Sequence, residues 1–206
     1  VKNSSTSATS SCNLKTEHVI SAPDVKSIYD VPLNFEKDNL SGQLCEILKM
    51  NKCSPTIDLK DWEAFVERSK NGAGEVKIAV VGKYFDSGDF VLSDVYISVL
   101  EAIKYSCYSV GVKPVIEYIS SQQFEKGENL ETLASYDGVL VPGGFGETGI
   151  EGKIKVIQYA REKKIPYFGL CYGMQLMTVE FARNVAGITD AHTTEINEKT
   201  PNPVIA

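Results

Sequence analysis

The chain has 206 residues, of which 43% are hydrophobic and 23% are charged, the balance of a globular protein with a sizeable core. Its formal net charge of −6 argues against a broad nucleic-acid surface and against binding to anionic lipid. No apolar run reaches the ~18 residues of a membrane span, and the polar start is unlike a signal peptide. We therefore expect a cytoplasmic protein with neither a nucleic-acid nor a membrane partner.

The cysteines and the first residue limit the possible compartment, metal sites and origin of the chain. The five cysteines show no C-x-x-C spacing, and with only two histidines beside them they give no zinc site. They fit a reducing compartment, where the default for each is a small buried hydrophobe. The chain opens with Val1 rather than Met, which suggests a processed product or a piece of a longer protein. The cysteines are Cys12, Cys45, Cys53, Cys107 and Cys171.

The first third of the chain has a mixed pattern. Residues 1–11 are rich in Ser and Thr, which predicts a mobile segment without a core. Val19-Ile20 could end a strand. Helical spacing predicts one helix from Asn39 to Met50 and another from Asp58 to Lys70, and Asn71 to Gly74 has the composition of a hinge.

From Val76 onward, short apolar runs alternate with helical patterns. This alternation predicts an α/β fold with a doubly wound, mostly parallel sheet and helices on both faces. The predicted strands are 76–81, 113–119, 137–141 and 167–170. The predicted helices follow the spacing of Val95 to Ser106, of Ile154 to Ala160, and of Tyr172 to Val185.

Cys171 lies in the pentapeptide Gly-Leu-Cys-Tyr-Gly, between a predicted strand and a predicted helix. This is the cysteine version of the G-x-S-x-G nucleophile elbow, a tight turn that exposes its central side chain above the sheet. The helix N-terminus favours a thiolate there, and the backbone N–H of Tyr172 is placed to hold an oxyanion. The alternative is a buried structural cysteine in a strand-to-helix turn.

A glycine-rich loop, Pro142-Gly143-Gly144-Phe145-Gly146, follows the strand that ends at Val141. Neighbouring strands of a doubly wound sheet end at one crevice, so this loop could supply a second oxyanion donor opposite Cys171. The alternative is a phosphate-binding loop. That alternative is disfavoured because the loop lacks both the G-x-G-x-x-G and the G-K-[ST] patterns.

These two segments resemble the class I glutamine amidotransferases, and the resemblance is closer to one group among them, the CTP synthase family. It covers about 12–206 and comprises separated motifs in the family's order. The motifs are Val141 to Glu147, Gly149 to Lys153, Cys171 to Gly187, Thr194-Glu195, Gly82 to Tyr84, and Asp24 to Pro32.

The resemblance implies a ligase of pyrimidine biosynthesis. Such an enzyme hydrolyses glutamine and passes the ammonia to UTP activated by ATP, which gives CTP. It implies glutamine, UTP and ATP as ligands, Mg²⁺ in the full-length parent at a site absent from this chain, and a homo-oligomer, a tetramer in the family. It also implies that 12–40 is the tail of an amidoligase domain, 41–74 are linker helices, and 75–206 is the first part of a glutamine amidotransferase domain, so the sheet is expected to be incomplete.

Site residues carried over by the resemblance fall into three roles. Cys171 is the nucleophile that forms a glutamyl thioester. A glutamine-binding set supplies oxyanion, backbone and head-group contacts: Gly144, Tyr172, Gly173, Met174, Gln175 and Glu195. Asp24 and Val25 match a backbone stretch that contacts the adenine of ATP, although Pro23 before them departs from the family's polar or basic residue.

The histidine and acid of a catalytic triad have no counterpart, because the family's H-P-E motif is absent. His192, 21 residues after Cys171, is a weak surrogate, and a loop histidine is the favoured interpretation. The leading hypothesis is a CTP synthase cut at both ends. The alternatives are a naturally shortened, non-catalytic paralogue that regulates full-length subunits, or another class I glutamine amidotransferase. A surface loop around 86–92 is predicted to be longer than is usual in the family.

Overall fold

The computed structural model describes residues 15–50, 57–83, 96–144 and 146–206. The chain divides into two compact units, the first ending at Asn71 and the second beginning at Gly72. Several sequence expectations lie outside the described residues: the Ser/Thr-rich segment 1–11, Cys12, Cys53, the lengthened loop around 86–92, Val95 and Phe145.

The first unit is helical. Its helices are α1 (Val31–Lys37), α2 (Leu40–Ile47) and α3 (Lys60–Asn71), with short 3-10 helices at Thr16–His18 and Ile28–Asp30. The rings of Tyr29, Trp62 and Phe65 pack together with centroids 5.1 to 6.1 Å apart. The Trp62 indole N–H donates to the Tyr29 carbonyl at 2.9 Å. This cluster ties α3 to the 3-10 helix that precedes α1.

Two of these helices, α2 and α3, confirm the sequence prediction, and α1 was missed. Pro32 lies in the first turn of α1, where a missing N–H and a fixed φ favour the helix. The predicted strand end at Val19-Ile20 is wrong, because these residues form no strand. Cys45 in α2 is disulfide-bonded, which differs from the default of a free, buried thiol.

The second unit contains a parallel four-stranded sheet. Its strands are β1 (Glu75–Gly82), β2 (Lys113–Ser120), β3 (Gly138–Val141) and β4 (Tyr167–Gly169), in the order β2-β1-β3-β4. The connecting helices are α4 (Ile97–Ser109) and α5 (Ile150–Lys163), and α6 (Tyr172–Asn184) follows β4. A short parallel pair, β5 (Ala191–Thr193) and β6 (Asn202–Ile205), comes last. The predicted doubly wound α/β fold is confirmed, whereas the short β5 and β6 were not predicted.

Both faces of the sheet are covered. Successive side chains of a strand point to opposite faces, so Val80 of β1 packs on the face of α4 with Leu100. Ala79 and Val81 pack on the other face with Val156 of α5. A further cluster joins α5 to α6 through Ile154, Ile157, Tyr172, Leu176 and Val179.

The strand order reverses direction between β1 and β3. The chain leaves β1 for β2 on one side and leaves β3 for β4 on the other. In open α/β sheets, ligands bind in the crevice outside the carboxyl ends of the strands at such a point. The residues that lie there include Gly82 at the end of β1, Lys83 directly after it, and Pro142 to Gly144 after β3. Among the described residues, no helix is long and apolar enough to cross a membrane.

Candidate active site

Cys171 forms the turn between β4 and α6. Its backbone has φ 50° and ψ −106°, a conformation that a residue with a side chain rarely adopts. Its carbonyl accepts hydrogen bonds from the N–H groups of Met174 and Gln175, both at 3.1 Å, which begins the helix. The side chain is exposed. A strained, exposed residue between a strand and a helix is the geometry expected of a nucleophile elbow.

The two flanking glycines permit this turn because chain segments pass too closely for any side chain. A Cβ built on Gly173 would lie 2.1 Å from the carbonyl oxygen of Val141, and a Cβ built on Gly169 would lie 2.5 Å from the carbonyl carbon of Gly173. Both distances are far inside van der Waals contact. The elbow is fastened to β3, since the N–H of Leu170 donates to the Val141 carbonyl at 2.9 Å.

The glycine loop after β3 lies against the thiol. A Cβ built on Gly143 would lie 3.4 Å from the Cβ of Cys171 and 3.8 Å from its Sγ. The Tyr96 hydroxyl donates to the Gly143 carbonyl at 3.5 Å, which helps hold the loop in place. The structure thus brings the predicted loop and the predicted nucleophile together.

Tyr172 is the first residue of α6, so its backbone N–H is one of those that the helix itself leaves unused. That N–H belongs to the residue after Cys171, where nucleophile elbows place an oxyanion donor. The Tyr172 side chain is 2% exposed, and its hydroxyl has no hydrogen-bond partner among the described residues. Burial raises the pKa of Tyr172, and the negative charges of Glu195, Glu147 and Glu151 raise it further.

Gln175 and Glu195, both predicted to contact glutamine, are in contact with each other. The Gln175 amide N–H donates to the Glu195 carboxylate at 3.4 Å. Thr193, which sequence reasoning missed, links them, because its hydroxyl donates to Gln175 Oε1 at 3.4 Å and accepts from the Glu195 N–H at 3.2 Å. Glu195 is exposed, so its carboxylate is available to an incoming cation.

Two lysines near the glycine loop were not singled out from the sequence. Lys153 of α5 is 1% exposed, and its Nζ lies 3.9 Å from where a Cβ of Gly144 would stand. Lys83, after β1, has its Nζ 3.2 Å from the corresponding position on Gly146. Burial lowers the pKa of Lys153 to about 8, and the charge of Lys83 contributes to that lowering. A signal was present in the sequence, because Lys153 is spaced three residues after Ile150 and four before Ile157 on the buried face of α5.

Four predicted residues remain: Gly173 and Met174 lie in the first turn of α6, and Asp24 and Val25 lie in the first unit. Met174 is exposed on α6, and Gly173 is buried beneath the elbow. Asp24 and Val25 lie in the first unit, in an exposed non-helical segment before the 3-10 helix Ile28–Asp30. Within the described ranges, no group of three or more His, Cys, Asp and Glu side chains is arranged to hold a metal ion.

His192 lies in β5, and its surroundings do not suit a base for Cys171. Its Nδ1 accepts from the Thr193 N–H at 2.9 Å, and in the described part of the chain no hydrogen bond joins it to Cys171. Burial lowers its pKa, and the nearby charge of Arg183 lowers it further. Arg183 is eleven residues along α6 from Tyr172, a distance of about 16 Å at the helical rise. His192 therefore lies near the part of α6 that is far from Cys171.

Comparisons with known proteins agree with this geometry. Residues 91–203 match the family "Glutamine amidotransferase class-I". A solved structure of a Trypanosoma brucei CTPS glutaminase domain with bound acivicin is 39% identical, with a TM-score of 0.56, covering 63% of this chain and 48% of that one. The chain belongs to the class I glutamine amidotransferase family.

Relatives named CTP synthase are similar over almost the whole chain. The protein from Halalkalibacterium halodurans is 44% identical over 194 residues, and the one from Caldanaerobacter subterraneus subsp. tengcongensis is 46% identical over 194 residues. Each match covers 94% of this chain and 35% of the relative, so the chain spans about a third of the length of these relatives. The resemblance to CTP synthases that the motifs indicated is confirmed.

Proposed function

We propose that this chain carries the nucleophile half of the glutaminase site of a CTP synthase. The observation that carries the proposal is Cys171 itself, exposed at a strained turn between β4 and α6 with the glycine loop against its sulfur. The similarity to CTP synthases extends over 194 residues and so reaches outside the amidotransferase match at 91–203. This extension favours a CTP synthase over another class I glutamine amidotransferase.

The proposed chemistry begins with the Cys171 thiolate. Its sulfur attacks the side-chain amide carbon of glutamine, and the carbonyl oxygen becomes an oxyanion. The backbone N–H groups of Tyr172 and of the Gly143-Gly144 segment are the proposed donors to that oxyanion. The amide nitrogen takes up a proton from solvent as the intermediate collapses, so that the C–N bond breaks, ammonia leaves, and a glutamyl thioester remains. Water then hydrolyses the thioester to glutamate and frees the thiol.

The head group of glutamine is assigned to the Gln175, Thr193 and Glu195 network. A carboxylate such as that of Glu195 complements the α-ammonium group, and the Gln175 amide that bonds to it fixes its direction. Tyr172 and Glu195 are close enough for the carboxylate to affect the phenol. The head group would then lie near the oxyanion donors, with its side-chain amide directed at Cys171.

The synthetase half of the reaction is a proposal that rests on resemblance. In it, ATP activates UTP and the ammonia released at Cys171 completes CTP, in a cytoplasmic homo-oligomer of the family's kind. Asp24 and Val25 are the residues proposed to contact ATP, and their exposed, non-helical backbone is compatible with a contact to an adenine edge. Mg²⁺ would be held by residues outside this chain.

A separation-of-function assay tests the proposal. In a CTP synthase polypeptide that includes this chain, Cys171→Ala should abolish CTP formation from glutamine and spare CTP formation from added ammonia. Cys107→Ala, in α4, is the matched control and should leave both activities intact. Equal loss of both activities in Cys171→Ala would show that Cys171 is structural.

A further inference from the structure

Lys153 presents an unusual arrangement inside α5. Lysine is almost never fully buried unless it is paired, yet this side chain is 1% exposed. Within the described part of the chain it has neither a hydrogen bond nor an ion pair. Its ammonium instead lies 5.4 Å from the centroid of the Tyr172 ring, a cation–π distance. A buried charge that is held mainly by a ring and a glycine loop requires an explanation beyond packing.

The position of this charge relates it to Cys171. Lys153 Nζ lies 3.9 Å from the place of a Cβ on Gly144, and it lies over the ring of Tyr172. Both segments border the thiol: a Cβ built on Gly143, next to Gly144, would lie 3.8 Å from Sγ, and Tyr172 directly follows Cys171 in the chain. The ammonium is therefore behind both proposed oxyanion donors.

We infer that Lys153 is a positioning residue of the cysteine site, a buried cation that stabilises negative charge at Cys171 from behind Gly144 and Tyr172. Its effect on the thiolate follows from charge and location alone. Its effect on an oxyanion formed from glutamine rests, in addition, on the proposed function. Lys153 would not touch the substrate, because the Gly144 backbone and the Tyr172 ring lie between them.

Other charges around this group act in both directions. Lys83, at the end of β1, adds positive charge. Glu147, Glu151 and Glu195 face Tyr172 with negative charge, and all three are exposed. Water screens exposed charges far more than buried ones. Lys153 should therefore dominate the local field while it is protonated, and with a pKa of about 8 it is mostly protonated at pH 7.

The test compares two alkylating reagents of similar size on the 206-residue chain. Iodoacetamide is neutral and iodoacetate is an anion; with either one, the Cys171 sulfur forms a bond to carbon and iodide leaves. The rate of each at Cys171 is followed by peptide mass analysis, and the ratio of the anionic to the neutral rate is taken. Accessibility and thiolate fraction affect both reagents alike, so the ratio reports the local charge.

At pH 7, Lys153→Met should lower the ratio about three- to tenfold, as expected for the loss of one buried unit charge beside the segments that flank the sulfur. Lys153→Arg, which keeps the charge, should retain most of the native ratio. The matched control is Lys163→Met, on the same helix, where the lysine also lies over a ring, that of Tyr159. It removes the same charge about 15 Å along the helix and should leave the ratio unchanged.

The pH dependence of the ratio in the native chain is a second test, and it requires no substitution. Its ratio should fall as pH rises through about 8, and this fall should be absent in Lys153→Met. A flat native ratio between pH 7 and pH 9.5 would overturn the inference, as would the same pH dependence in Lys153→Met. Neither outcome bears on the glutamine and ammonia assay of Cys171→Ala, so failure of this inference and failure of the proposed function are distinguishable.

Discussion

Replacing Lys153 with methionine should make the protein more stable at neutral pH. The side chain keeps its length and loses its charge, so a desolvated ammonium becomes an apolar group in a buried place. The pKa of Lys153 is lowered from 10.5 to about 8, and each pKa unit corresponds to about 1.4 kcal/mol. Burial of the charge therefore destabilises the fold by about 3 kcal/mol at pH 7. Loss of the contact with the Tyr172 ring offsets about 1 kcal/mol of the gain, which leaves about 2 kcal/mol.

The pH dependence of this effect has a definite sign. Between pH 8 and 10.5 the unfolded chain holds the lysine proton and the folded chain has released it. Stability contributed by this group therefore rises with pH through that window and is constant below it. The advantage of Lys153→Met should be full at pH 7 and should shrink steadily as pH approaches 10.5.

Urea unfolding followed by circular dichroism measures both effects. With a slope of about 2 kcal/mol per molar urea, the midpoint of Lys153→Met should rise by about 1 M at pH 7. Lys163→Met, at an exposed position on the same helix, should change stability by less than about 0.5 kcal/mol. A midpoint for Lys153→Met at or below that of the native chain would refute the reasoning, and so would an advantage that stays constant up to pH 10.

Three further outcomes are expected. A glutamine-like electrophile should label Cys171 before Cys107, because Cys171 is exposed whereas burial raises the pKa of Cys107; faster labelling of Cys107, mapped by peptide mass, would contradict this. Gly173→Ala should destabilise the fold by about 3 kcal/mol or more in urea unfolding, since its Cβ would stand 2.1 Å from the Val141 carbonyl oxygen; an unchanged midpoint would show that the turn relaxes. The 206-residue chain should not release glutamate from glutamine at the rate of a complete enzyme. General acid–base catalysis contributes ~10²–10⁴-fold to the rate, and no described histidine is hydrogen-bonded to Cys171. Turnover near that of a complete enzyme would contradict this and would make His192 a candidate base.

The sheet was predictable from the sequence because the second half of β1 and all of β3 are buried. The run 78–81 is apolar without interruption, and the helix patterns between the strands differ from it in period. The elements that escaped prediction had ambiguous local signals. Helix α1 has Pro32 in its first turn, a residue that can also end a helix, and β5 is a three-residue strand whose middle residue, His192, is polar.

The candidate site was predictable where backbone geometry dictates residue type. Only glycine fits at 169 and 173, so the elbow left a direct trace in the sequence. Glu195 was found through family resemblance, because nothing local distinguishes it from a solvated carboxylate. Thr193 and Lys153 were missed because their roles depend on which segments the fold brings to them, and a lysine on a helix is usually exposed.

Several locally unfavourable features of the second unit meet at one edge of the sheet. Cys171 has a backbone conformation that costs about 1–3 kcal/mol. The Tyr172 hydroxyl is buried without a partner in the part of the chain that the structure describes, and Lys153 carries a buried charge. Each cost would be relieved by one substitution: glycine at position 171, phenylalanine at 172 or methionine at 153. Residues that violate local rules together, at the crevice where the strand order reverses, are expected where chemistry requires them. We therefore expect one substitution to change both properties: Lys153→Met should raise stability and, by the inference above, remove a positive charge that favours negative charge at Cys171.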